Sequence, residues 1–557
     1  MGLPLIALYR LTDGNKDWEI PGYFAVSTAP ANVEDASSSL ERDLARLPSL
    51  EPLDQRTEPG IQRIAQNLLE KAQTGSAELV IAIHGYNTPI KGVKDWYWEI
   101  WRYANENVLD KNFVFIGYRW SSESVDFLNN LGKAITSLPI LLALMLVGGI
   151  VGVGLFSFLN LSWPLAIATS VMIFLGNLVA ALMVLKIVVY FRDAYRATNY
   201  GVPDLVELLR QLDKELKDKV QPHSIKLNFI AHSMGGFVTT NAVRILSDVF
   251  DERSIGTTTG AGKAPSSDIG NVFRLGRLVL ASPDIPAESI FAGRANFLKS
   301  SLRRFEEAYL FSNEGDLALR LASTAANYFS FPTNSRIRGH RLGNVTVRPS
   351  NKADDPNYGV INCNTLTSSD SSGRLGNYLE INTVTQSFPL IQIQKELGIE
   401  EEPIADLFTY FDCTNYLDFK YDDKSPNPVK QPLLCYRLDR FPLLNALVYL
   451  RLMFDWGRGA LDVHGGYFQG VFSRKLVYEL AFVGFQDFLL SLEPEVQSGS
   501  RKHYQELFQQ FSEACKAKQI QVAFSPERYR VNVLGDNPVE VRREILESEP
   551  GDSEPHP

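Results

Sequence analysis

The 557-residue chain is poor in cysteine: Cys363, Cys413, Cys435 and Cys515 stand far apart and form no C-x-x-C pair. That spacing excludes a disulfide framework and a thiolate zinc site, and it fits reduced thiols in a cytoplasmic setting. No metal and no cofactor is indicated. A block of positive charge is missing too. The 55 lysines and arginines are outnumbered by 64 scattered acidic residues, for a net charge of -9, so there is no basic groove and no nucleic-acid partner is expected. The opening "MGLPLIALYRLTDGNKDW" has no basic region ahead of a long apolar core and no small-residue cleavage site, and Ile6 breaks the myristoylation pattern. It reads as a first strand. No internal repeat is evident.

What is abundant is apolar sequence in one place. Residues 134–190 carry a single charge, Lys186. A spanning helix needs about 20 apolar residues, so the run suffices for a transmembrane hairpin with "LNLSWP" as its turn. Two buried core helices are the alternative, but soluble helices of that length show a polar face and these do not. Lys133 precedes the run and Arg192 and Arg196 follow it; the positive-inside rule then puts both ends in the cytoplasm. The expectation is an integral membrane protein with the lipid bilayer as a partner and its remaining mass facing the cytoplasm. Two spans with one charge offer no polar pathway, which argues against a channel. An even number of spans also lets strands before and after the run join one sheet.

Elsewhere short β-rich runs alternate with amphipathic helical stretches. "ELVIAIHGY" follows "IQRIAQNLLEKAQ", "NFVFIGYRW" follows "WYWEIWRYANENVL", and "IKLNFIAHS" follows "VPDLVELLRQLDKEL"; "GRLVLASPD" and "EEAYLFSNEGD" come next. Continuous apolar strands separated by helices predict an α/β fold with a doubly wound, mostly parallel sheet. Sites in such sheets form at the carboxyl ends of strands. His84, Ser233, Asp284 and Asp316 stand at such ends.

In "LNFIAHSMGGFV" an apolar strand stops at Ser233 and a helical pattern resumes after it. A sharp strand-to-helix turn thrusts its apex side chain outward and needs small neighbours, here Ala231, Gly235 and Gly236. The pattern is A-H-S-M-G, one residue short of G-x-S-x-G. A plain helix-capping serine is the other reading. As a nucleophile, Ser233 needs a base, an acid to orient it and donors for the oxyanion. The backbone N–H groups of Met234 and, from the loop "HGYN", of Tyr86 are the candidate donors. His84 reads as a structural member of that loop, and His232 points away from where a base must reach.

The pieces "IAIHGYN", "IAHSMGG", "LVLASPDIP", "YLFSNEGDLALRLAS" and "RLG", in that order, resemble the α/β-hydrolase superfamily and within it the bacterial DUF900 hydrolase-like group. The resemblance spans about residues 78–345. It implies a serine hydrolase whose acid follows the second strand after the nucleophile, hence Asp316, with Asp284 as the alternative acid. It also implies the chain order serine, acid, histidine, leaving His340, His464, His503 and His556. His340 follows the acid too soon, before the strand "GVINCNTL"; His503 lies on a charged helix and His556 in a polar tail. His464, followed by two glycines in "DVHGGYF", is the expected base.

The expected layout is a hydrolase domain in two parts (1–133 and 191–364) around the hairpin. A cap-like insertion follows (365–459), then the histidine loop with C-terminal helices and the strand "YRVNVLG" (460–545), and a polar tail (546–557). The implied activity is that of a lipase-like serine esterase acting on an ester or thioester, with a lipid or acyl compound as substrate. A catalytically silent membrane scaffold that keeps the fold for binding is the competing class.

Overall fold

In a computed structural model of the chain, the described residues are 5–14, 16–30, 38–53, 57–122, 188–247, 266–290, 301–320, 340–347, 379–382, 387–389, 404–422, 428–436, 442–492 and 501–547. Their strands in chain order begin with β1 (Ile6–Leu11), β2 (Gly22–Ser27), β3 (Leu50–Pro52), β4 (Glu78–Ile83) and β5 (Phe113–Arg119). Next come β6 (Ile225–His232), β7 (Asp268–Ile269), β8 (Phe273–Ala281), β9 (Glu307–Ser312) and β10 (Val345–Val347). The remainder are β11 (Leu379–Asn382), β12 (Ser387–Pro389), β13 (Phe408–Asp412), β14 (Leu417–Asp418), β15 (Gln431–Pro432) and β16 (Gln521–Ala523).

One sheet dominates, in the order β16-β13-β9-β8-β6-β4-β5-β2-β1-β3, with β7 on β8. From β2 across to β13 every neighbouring pair is parallel. Antiparallel strands, β1 with β3 on one side and β16 on the other, close the two edges.

The period of two in each strand sorts side chains between two cores. Leu79, Ile81 and Ile83 of β4 join Ile64 and Leu68 of helix Thr57–Thr74, Leu208 and Leu212 of helix Val202–Leu216, and Val238 of helix Met234–Leu246. Val80 and Ala82 face the other way, toward Val93 and Ile100 of helix Ile90–Asn107 and Leu476 and Leu480 of helix Val471–Phe482. Both faces of the sheet are therefore covered, which is why its strands are apolar throughout.

Three expectations change. Phe408–Asp412, inside the segment read as a cap, is β13 and pairs in parallel with β9; all five of its residues are buried, so it is sheet core and not cover. "YRVNVLG" is no strand: Tyr529–Leu534 is a π-helix, continuing the helical turn Pro526–Arg528 that Ser525 caps through its hydroxyl. His232 does not stand clear of the base, as described below. The hairpin 134–190 lies outside the described residues except for 188–190, which are helical; "GVINCNTL" lies outside them entirely. No helix among the described residues is long and apolar enough to cross a membrane.

Candidate active site

β6 runs straight into helix Met234–Leu246, and the residue between them, Ser233, has φ 56° and ψ -126°. That region is strained for any residue but glycine and persists only where surroundings enforce it. Here they do. Ser233 N–H donates to the Ala281 carbonyl (3.0 Å), and its own carbonyl accepts from Gly236 and Asp284 (both 3.0 Å). A Cβ on Gly235 would lie 2.4 Å from the Ile83 carbonyl oxygen, and one on Gly85 would lie 2.7 Å from Ser233 Cβ. Glycine at these two positions lets the β4 loop lie directly on the serine. Ser233 makes no side-chain capping bond. Its Oγ is buried without a hydrogen-bond partner among the described residues, which removes the helix-capping reading.

His464 stands on the loop before the turn Gly466–Phe468. Its Nδ1 lies 2.6 Å from Asp316 Oδ2, while its buried Nε2 has no partner among the described residues. The loop is tied on both sides. Asp462 Oδ1 accepts from the N–H of His464 (3.2 Å) and of Gly465 (2.8 Å), an Asx-type turn, and Asn313 Nδ2 donates to the Val463 carbonyl at 2.8 Å. His232, next to the serine, has its ring 4.6 Å from that of His464, with Nε2 3.1 Å from the His464 carbonyl oxygen. Burial, then the proximity of His464, push His232 well below the ordinary histidine pKa, so it packs as a neutral spacer under the loop.

Asp316 follows β9 and is fully buried. Besides His464, its carboxylate accepts from Ser282 Oγ (2.8 Å) and from the Leu319 N–H (3.1 Å). Ser282 follows β8 with φ 43°, and its Oγ lies 3.0 Å from the Tyr467 hydroxyl. Burial alone would lower the pKa of His464, but the Asp316 carboxylate and its hydrogen bond outweigh it, and the net shift is upward from 6.5. The other acid, Asp284, is held elsewhere: its Oδ1 pairs with Arg341 Nε at 3.0 Å. The structure thus brings Asp316, not Asp284, to His464.

His84 stacks on Trp120 with ring centroids 5.1 Å apart. Burial, then Arg119, lower its pKa to about 3, so it stays neutral at working pH. His340 is buried, and burial, then Arg320, lower its pKa to about 4; His503 lies on helix Arg501–Ala517, and His556 is outside the described residues. The N–H of Met234, first in its helix, has no intrahelical acceptor. Neither it nor the N–H of Tyr86 donates a hydrogen bond among the described residues. No group of side chains among those residues is arranged to hold a metal ion. Ser282, Asn313, Asp462 and Tyr467 carry no signal of their own in the sequence, although Ser282 and Asn313 lie inside the runs "LVLASPDIP" and "YLFSNEGD".

A mostly parallel sheet with a serine at a strained strand-to-helix turn fits the α/β-hydrolase class. In keeping with that, the model of the family described as "Alpha/beta hydrolase of unknown function (DUF900)" matches residues 154–391. The matched stretch takes in Ser233, Asp284 and Asp316 and stops short of His464. No curated protein and no solved structure matches the chain. The match suggests a hydrolase.

Proposed function

We propose that the chain is a membrane-anchored serine hydrolase that cleaves an ester or thioester through an acyl-enzyme. The observation that carries this reading is the bond from His464 Nδ1 to Asp316, with the His464 ring packed against His232, the neighbour of Ser233, and with Ser233 Oγ and His464 Nε2 both buried and without a partner among the described residues. Neutral His464 takes the hydroxyl proton as Ser233 Oγ attacks the carbonyl carbon. The oxygen that gains charge accepts from the N–H groups of Met234 and Tyr86. Asp316 holds the Nδ1–H tautomer and stabilises the imidazolium, which then protonates the departing alcohol or thiol. Water attacks the acyl-enzyme with the same base, releasing the carboxylic acid and restoring the serine.

The apolar run 134–190 supports anchoring in a bilayer, and its flanking Lys133, Arg192 and Arg196 support a catalytic domain on the cytoplasmic side. A site whose chain enters the bilayer beside it suits a lipid or acyl substrate. The test is labelling of the full-length chain in detergent with a fluorophosphonate, alongside turnover of a chain-length series of p-nitrophenyl esters. Wild type labels and turns over; Ser233→Ala does neither while remaining folded. An unlabelled, inactive wild type would leave the silent scaffold as the reading.

A further inference from the structure

Residues 119–122, ahead of the apolar run, and residues 188–196, at its end and just beyond it, meet on the oxyanion loop. Asp193, in the second of these stems, is fully buried. Its Oδ2 accepts from the backbone N–H of Asn87 (2.8 Å) and from Ser122 Oγ (3.0 Å). Ser122 Oγ in turn accepts from the Thr88 N–H at 3.3 Å. The other carboxylate oxygen faces Arg192 Nη2 (3.0 Å) and Arg196 Nη1 (3.6 Å). Asn87 sits at φ 52°, a left-handed conformation that asparagine adopts more readily than most side chains. Around this clasp, Trp120 Nε1 donates to the His84 carbonyl at 3.0 Å, and the rings of Tyr86 and Tyr190 meet edge to face at 5.7 Å. Each stem therefore contacts the loop 84–88 at more than one point.

We infer that Asp193, with Ser122, is a positioning residue for the Tyr86 oxyanion donor, so that the seating of the apolar segment's stems sets the rate of acylation. This rests on the hydrolase reading above. A buried carboxylate that gathers the loop's N–H and the hydroxyl of one stem fixes the loop's register against Ser233 without touching substrate. Displacing the loop weakens a contact made in the transition state, which lowers kcat and leaves ground-state binding alone.

The full-length protein in detergent, with p-nitrophenyl butyrate and a fluorophosphonate as probes, tests it. Asp193→Ala is expected to lower kcat and the labelling rate by about 10- to 100-fold, below the loss from deleting a donor outright, with KM within about twofold and the acid-side pH inflection of His464 unmoved. Asp193→Asn keeps an oxygen for Asn87 and Ser122 and restores part of the rate. Unchanged kcat in folded Asp193→Ala, a loss confined to KM, or no advantage of Asn over Ala would overturn the inference. Should Asp193→Ala fail to fold, Ser122→Ala removes one hydroxyl from the same clasp; a loss of about threefold or more in kcat then supports the inference, and a smaller one overturns it. A wild type that neither labels nor turns over overturns the hydrolase reading itself; an active wild type indifferent to both substitutions overturns this inference alone.

Discussion

His464 joins opposing influences: burial favours its neutral form, and Asp316 favours the charged one and prevails. A general base must be neutral to accept the serine proton, so kcat/KM should climb with pH through an inflection above 6.5 and then level off. A pH–rate profile reads this directly. Asp316→Asn removes the charge that raises the pKa, so the inflection should move down and the rate fall by about 10⁴-fold, the scale of losing the orienting acid. Asp284→Asn, which loosens a pair with Arg341, should cost far less; the reverse order would transfer the acid's role to Asp284. The raised pKa also has a stability sign. Protonated His464 is favoured by the fold, so its contribution is complete below its unfolded pKa and fades as pH rises through the folded one. Ser233 and Asp316 are legible because each stands at the end of a strand-like run, and His464 because the chain order that the resemblance implies leaves few histidines. Ser282 and Asp462 are not, because a serine or aspartate that supports another side chain carries no pattern of its own.

The strand-to-helix turn at β6 works only because no side chain intrudes where helix Met234–Leu246 meets β4. Gly235→Ala would set a methyl 2.4 Å from the Ile83 carbonyl oxygen and 2.7 Å from that of His84, atoms of backbone that cannot swing aside. A loss of about 1–3 kcal/mol in urea unfolding is expected, the cost of overpacking, together with slower labelling of Ser233. Apolar periodicity identified β4, β5, β6, β8 and β9 and the helices between them, since both cores depend on the same periods. It failed where burial and not propensity decides. "FTYFD" looks like any aromatic stretch until β9 and β16 flank it, and "YRVNVL" has strand-forming residues yet continues a capped helical turn.

Across the whole molecule the chemistry gathers at the carboxyl edge of the sheet, while an ion pair ties the amino edge. Arg277 Nη1 of β8 bonds Glu78 Oε2 of β4 at 2.5 Å and the Phe482 carbonyl at 2.8 Å, and Asn228 of β6 donates to the same glutamate at 2.8 Å. Breaking such a buried pair strands a charge, so Arg277→Met should lower stability by about 3–5 kcal/mol in denaturant unfolding. Ser233 labelling in the folded fraction should not change, because the substitution lies at the far end of the strands. The proposed membrane attachment is tested at this scale as well. Two spans would insert almost irreversibly compared with a surface helix, so under that proposal the chain stays in the pellet through alkaline carbonate extraction; recovery in the supernatant would overturn the anchoring.

The alternation of strands and helices from β4 to β9, the mostly parallel sheet and the strand-to-helix turn at Ser233 follow from sequence alone. Each is local: a period of two or of 3.6, or small residues around one turn, is written within a dozen positions. Pairings across 148 residues, as between Asp316 and His464, or across 106, as between Asn87 and Asp193, leave no such trace. They arise only when the sheet brings the ends of β4, β5, β6 and β9 to one edge. A carboxylate there becomes an acid, a clasp or a half of an ion pair according to which cation or N–H the fold sets within about 3 Å.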